Sequence, residues 1–227
     1  MNIKIAITLL LLTFAIPALA QPATQPSMIV DKKKKTITIP CKVAPRQLEY
    51  LVKLGYTEIY PIEVVATLPH PQGKKAHETV LNFSVKPSDV HQALESFGLK
   101  PGKPAVGEGA VAAGPEVKVS LEIPTADGGT QVVPIEKALV DKKTLKTMPP
   151  LKWYFTGSAL HQADPTKDDK AYGADLTGTL IGIFPITDDV VIQTNLTMKD
   201  EPIIKMESNK KLLPPEGTPV KLIIQAK

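Results

Sequence analysis

Cysteine is nearly absent: Cys41 stands alone in 227 residues. A lone thiol has no partner for an intrachain disulfide. An iron–sulfur cluster usually takes about four cysteines, so a self-contained cluster is excluded. Aromatic residues are scarce at 5 %, and no sign of charge dominates, with 27 Lys and Arg against 23 Asp and Glu. Nucleic-acid binders concentrate basic charge on one face, often beside aromatics, so no nucleic-acid partner is expected. There is no P-loop, no HExxH and no GxSxG. Gly107-Glu108-Gly109-Ala110-Val111-Ala112 matches GxGxxA. That fingerprint has to follow a strand and open a helix. Prolines precede it here and Pro115 follows, so it reads as a loop.

Long apolar runs are missing too. The stretch 5–16 is almost wholly apolar but spans about a dozen residues, where a membrane helix needs roughly 20. Its surroundings explain it. Lys4 precedes it, Pro17 breaks it, and Ala18-Leu19-Ala20 is a small-x-small cleavage site, the three-part pattern of a secretory signal peptide over residues 1–20. Export to the periplasm or the medium is expected, with no transmembrane segment after cleavage. Lys4 is the one charge in this leader, so 26 of the 27 basic residues remain against 23 acidic ones, a mild +3. Residues 21–27 (QPATQPS) read as a disordered spacer, and 28–227 as a single globular domain. A chain of this size buries roughly 70 % of its unfolded surface and needs no disulfide or metal to fold.

What is present is alternation. In 36–43 and 116–123 apolar residues recur at every second position, as half-buried strands require. Further strands are expected over 62–68, 79–85, 152–156, 178–184, 190–194 and 219–225. Asp127-Gly128 opens a hairpin to 131–134. The stretch 135–140 fits either a short helix or a strand. Val90, Ala93, Leu94 and Phe97 recur at helical spacing, which predicts an amphipathic helix over 87–97. Pro87 suits its start, Asp89 its positive end and Gly98 its left-handed cap. The fold class is α+β: β-rich, a mostly antiparallel sheet with one principal helix. Cys41 falls on a strand and reads as structural. The run Lys32–Lys35 reads as a solvated lead-in to the first strand.

The candidate site residues are His77, Glu78, His91, Trp153 and Asp175. His and carboxylate serve as metal ligands and as acid–base groups. His77-Glu78 precedes one strand, and His91 lies on the helix that follows it, beside Glu95 at i, i+4. If strand and helix pack together, His77, Glu78 and His91 could hold zinc or another divalent metal, with water or Asp175 as a fourth ligand. Otherwise no cofactor is expected. Trp153 and Phe155 alternate to one face and suit the core, although a stacking surface is open to them. Ser158 has no visible base. Tyr172-Gly173-Ala174-Asp175 reads as the lead into the strand at 178.

Four stretches, taken in order, carry a resemblance. They are His77-Glu78-Thr79-Val80-Leu81; His91-Gln92-Ala93-Leu94 with Gly98-Leu99-Lys100-Pro101-Gly102; Trp153-Tyr154-Phe155-Thr156-Gly157-Ser158; and Tyr172-Gly173-Ala174-Asp175-Leu176-Thr177-Gly178. Together they resemble the YdjY-domain family of exported bacterial proteins over residues 28–225. The resemblance implies one family-wide domain, bacterial origin and export. It implies no catalytic residue. Some members carry a ferredoxin-like label, which the single cysteine here does not support.

No complete catalytic signature is visible, and the polar loops are long. The expected function is therefore a non-catalytic domain of the cell envelope that binds a small ligand or an envelope protein. The first alternative is a metal-binding protein or enzyme centred on His77, Glu78 and His91. The second is a structural envelope component, with Lys32–Lys35 against anionic surfaces.

Overall fold

The computed structural model describes residues 27–162, 166 and 169–227. The leader expected over 1–20 and all but the last residue of the spacer lie outside them. The strands are β1 (Ile29–Asp31), β2 (Thr36–Val43), β3 (Val64–Thr67), β4 (Thr79–Phe83), β5 (Glu116–Pro124), β6 (Thr130–Pro134), β7 (Leu139–Asp141), β8 (Trp153–Phe155), β9 (Leu160–Gln162), β10 (Lys170–Tyr172), β11 (Thr179–Gly182), β12 (Ile192–Thr194), β13 (Met206–Ser208) and β14 (Pro219–Ala226). The helices are α1 (Glu49–Lys53), α2 (Pro87–Glu95) and α3 (Gly173–Thr177). The ambiguous stretch resolves as both of its readings in turn: a 3-10 turn, Ile135–Ala138, runs straight into β7.

The sheet is a closed barrel rather than an open antiparallel sheet. Its ring runs β2, β14, β5, β8, β12, β11, β3, β4 and back to β2, where Cys41 pairs with Phe83. Six of the eight neighbouring pairs are antiparallel; β11–β12 and β3–β4 are parallel. Alternation reports which face a residue takes but not which strand sits beside it, so the two parallel pairs and the closure were not visible in the pattern. Each parallel pair requires its connection, 68–78 or 183–191, to carry the chain back to the end from which it started. β1 and β6 extend the ring at β2 and β5.

Inside, the alternating residues stack in layers. Leu222 lies between Ile39 and Leu121, and Ile224 between Ile37 and Val119; all six are buried. Cys41 belongs to the next layer, between Val220 and Phe83. Burial pushes its thiol up to about 12, against a smaller lowering by the Leu222 backbone, and its S–H sits 3.4 Å from Ile39 O. A thiolate is the reactive form, so native Cys41 is expected to resist a thiol reagent at pH 8 while the unfolded chain reacts fully. Fast, stoichiometric labelling of native protein would show that the layer is open.

α2 packs Val90, Ala93 and Leu94 inward, with Phe97 buried just beyond its end. Gly98, at φ +87°, turns the chain out of the helix and donates its N–H to Glu95 O at 2.8 Å. The run Lys32–Lys35 is the exposed turn between β1 and β2. Among the described residues, no helix is long and apolar enough to cross a membrane.

Candidate functional site

Three of the four sequence stretches meet where β10 turns into α3. The chain leaves β8 at Phe155, passes Thr156-Gly157-Ser158, and enters the β9–β10 hairpin. α3 then starts at Gly173; it is the expected lead into the strand β11, and it takes helical form. His91 reaches this corner from α2. Its Nδ1 lies 2.7 Å from the Tyr172 hydroxyl, and its Nε2 lies 3.5 Å from Glu95 Oε1. Its ring meets Phe155 and Tyr172 edge-on at 5.0 and 5.3 Å. Burial, with the nearby Asp175 and Glu95 charges, holds the Tyr172 phenol well above its usual range, so it stays protonated and can donate to His91. Gly157 permits the close approach. It sits at φ +68°, and a Cβ there would lie 2.8 Å from Pro101 Cβ and 3.4 Å from the His91 ring.

Asp175 has a role that no local pattern could reveal. It sits in the first turn of α3, and its Oδ1 accepts the Ser88 N–H at the start of α2 at 2.9 Å. It therefore caps another helix through space. Ser158 is also occupied. Its Oγ accepts the Ala174 N–H at 2.9 Å and lies 3.3 Å from Ala159 O. Neither group is poised for attack.

Beside this corner lies a cluster that sequence reasoning missed. His161, from β9, places Nε2 2.5 Å from Asp189 Oδ1. Donor atoms of His161, Asp188 and Asp189 all fall within 4.8 Å of one another. The carboxylates come from the connection between the parallel strands β11 and β12. Backbone bonds hold that connection in place: Asp188 O accepts the Ala159 N–H at 3.1 Å, and Asp189 O accepts the Thr177 hydroxyl at 3.3 Å. Gly173 completes the fit, since a Cβ there would fall 1.9 Å from Asp189 Oδ1 and 2.9 Å from the His161 ring. The hydrogen bond and charge of Asp189 raise the His161 pKa above its ordinary value. The His161 side chain is 44 % exposed, so the cluster is open to solvent. The only hint in the sequence was position: His161 lies between the third and fourth of the four stretches.

The set His77, Glu78 and His91 is not brought together. Among the described residues, the group of donors close enough to share an ion is the one at His161, and it contains none of the three. His77 sits 3.2 Å from Glu78 Oε1, with its ring edge-on to Tyr60. Lys75 bridges Glu63 and Glu78 at 2.7 and 2.8 Å. Burial opposes the Glu78 charge, but hydrogen bonds from His77, Glu63 and Lys75 outweigh it and hold its carboxyl down to about 2. Glu63 is pushed the other way, first by burial and then by Glu78. Arg46, 5 % exposed, ties the region down: it binds Glu207 at 2.7 Å, His77 O at 3.1 Å and Tyr60 O. A cleft of about 300 Å³ beside Arg46 is lined by Val43, Ser208, Lys210, Leu213 and Glu216. The guanidinium is already committed to those partners, so the cleft lacks its strongest donor.

Trp153 is likewise in the core and not at the corner. It is buried, and its indole N–H donates to Glu136 Oε1 at 2.7 Å, an oxygen that also takes the Leu151 N–H at 3.2 Å. Of the residues expected at a site, His91 and Asp175 are therefore at the corner, and His77, Glu78 and Trp153 are not.

The family model for the YdjY domain matches residues 28–225. The chain is a YdjY-domain protein. No curated protein and no solved structure matches it significantly. Within this YdjY domain, the His91, Phe155-to-Ser158 and Tyr172-to-Gly178 segments share one corner of the fold, and the His77 stretch belongs to the charged tie around Arg46.

Proposed function

We propose that this YdjY domain is exported and serves the cell envelope as a non-catalytic binding domain, taking a small polar ligand at the corner where β9, α3 and the 183–191 connection meet. One observation carries the reading. That place offers a half-exposed imidazole and two carboxylates, on a connection fastened by the Ala159 N–H and the Thr177 hydroxyl. Ligand sites are typically few polar groups set precisely on a preformed frame. Ser158 supports the non-catalytic part, because its hydroxyl is engaged by the Ala174 N–H and the Ala159 carbonyl. The leader pattern of residues 1–20 supports export.

Two measurements test the two parts. Mass spectrometry of the exported protein should find a chain beginning at Gln21; an intact Met1 in that fraction would refute processing and export. Native mass spectrometry of the same fraction should find an added mass on the wild-type chain that His161→Ala lacks. A bare wild-type chain, or the same adduct on both, would remove the corner as the binding site.

A further inference from the structure

We infer that His161, Asp188 and Asp189 form a binding site for one divalent first-row transition ion. The inference rests on the corner being the binding face. The donor set selects the class of ion. Calcium and magnesium take oxygen ligands, whereas an imidazole nitrogen beside carboxylates suits zinc and its neighbours in the first row. Three protein ligands leave a coordination position open, as in sites that hold a water or an exchangeable ligand. The anionic or polar group of a bound small molecule would occupy that position.

The geometry supports the assignment. Ligand atoms at about 2.0–2.2 Å from a tetrahedral ion lie about 3.4 Å from one another. Here His161 Nε2 and Asp189 Oδ1 are 2.5 Å apart, and the whole set lies within 4.8 Å. One pair has to open by about 0.9 Å and the third ligand has to close by at most about 1.4 Å, changes that side-chain rotation supplies. The frame is fixed. The Asp188 carbonyl is bonded to the β9 side of the corner and the Asp189 carbonyl to α3. Gly173 leaves Asp189 room that any Cβ would fill. The carboxylates and the imidazole come from separate elements, so the set assembles only in the folded chain. A plain His161–Asp189 ion pair has no need of Asp188, and this separates the two readings.

Zinc alone is the probe, titrated calorimetrically into the full mature chain. Wild type should bind one ion per chain. His161→Ala and Asp188→Asn should each weaken binding at least about tenfold, a loss that even outer-shell changes can produce. Gly173→Ala removes no donor and should weaken it comparably by displacing Asp189. His77→Ala should leave affinity within about twofold, since His77 lies in the Arg46 tie. Asp188→Asn changes one half-exposed group and carries the test if His161→Ala fails to fold. Weak binding at several sites, equal in all variants, would overturn the inference. Absent zinc binding, with the native adduct still lost in His161→Ala, would overturn the metal and leave the binding corner standing. If neither zinc nor an adduct is found, both fall.

Discussion

Arg46→Met is expected to destabilise the protein by roughly 3–5 kcal/mol, measured by guanidinium unfolding at neutral pH. Arg46 is 5 % exposed and ion-pairs with Glu207 at 2.7 Å, while its other donors satisfy the carbonyls of His77 and Tyr60. Removing the guanidinium leaves the Glu207 carboxylate and two carbonyls short of a partner. The cost comes mostly from those stranded groups rather than from the attraction that is lost. The Glu207 side chain keeps 20 % exposure, so water recovers part of its solvation and the lower half of the range is favoured. A loss below about 1 kcal/mol would mean that the tie behaves as a surface ion pair. In that case the segment carrying His77 would be held by something else.

Leu94→Ala is expected to cost about 2–5 kcal/mol, and Gln92→Ala less than about 0.5 kcal/mol. Leu94 is fully buried on the inner face of α2, and Gln92 is exposed on the outer one. Both substitutions put alanine into a helix, so propensity contributes little to the difference. What separates them is the cavity left by the leucine. Asp175 makes the test more informative, because it fastens the start of α2 to α3 through Ser88 N–H. A helix held at its first turn has limited freedom to collapse into the void, which argues for the upper half of the range. Equal losses from the two substitutions would mean that α2 is rotated about its axis.

The parts legible in the sequence were those in which a residue's own neighbours carry the information. β2 and β14 match their expected strands closely because Ile37, Ile39, Cys41 and Val43, and then Val220, Leu222 and Ile224, alternate without interruption. α2 was legible from its four apolar positions and Gly98. Closure of the barrel was not, because it depends on Cys41 meeting Phe83 and on two parallel pairs, facts about partners far along the chain. The site divides in the same way. His91 and Asp175 were singled out and both lie where β10 turns into α3, beside the His161 cluster, but Asp175 acts there as a cap for α2. His77 and Glu78 were grouped with His91 because they flank the same strand. Their side chains instead enter the network of Lys75, Glu63 and Tyr60. His161 lies on a strand of three residues with no alternation to read, and its carboxylate partners sit in a connection whose path is set by parallel pairing.

The unfolding temperature of the exported protein before and after its ligand is stripped by unfolding, exchange and refolding tests the binding corner most directly. A ligand present at 100 times its Kd stabilises by about 2.7 kcal/mol, which is about 5–10 °C for a chain of this size. Wild type and His77→Ala should each lose that increment on stripping, and His161→Ala should melt at the same temperature before and after. A stripping loss that persists in His161→Ala, or that disappears in His77→Ala, would contradict the account.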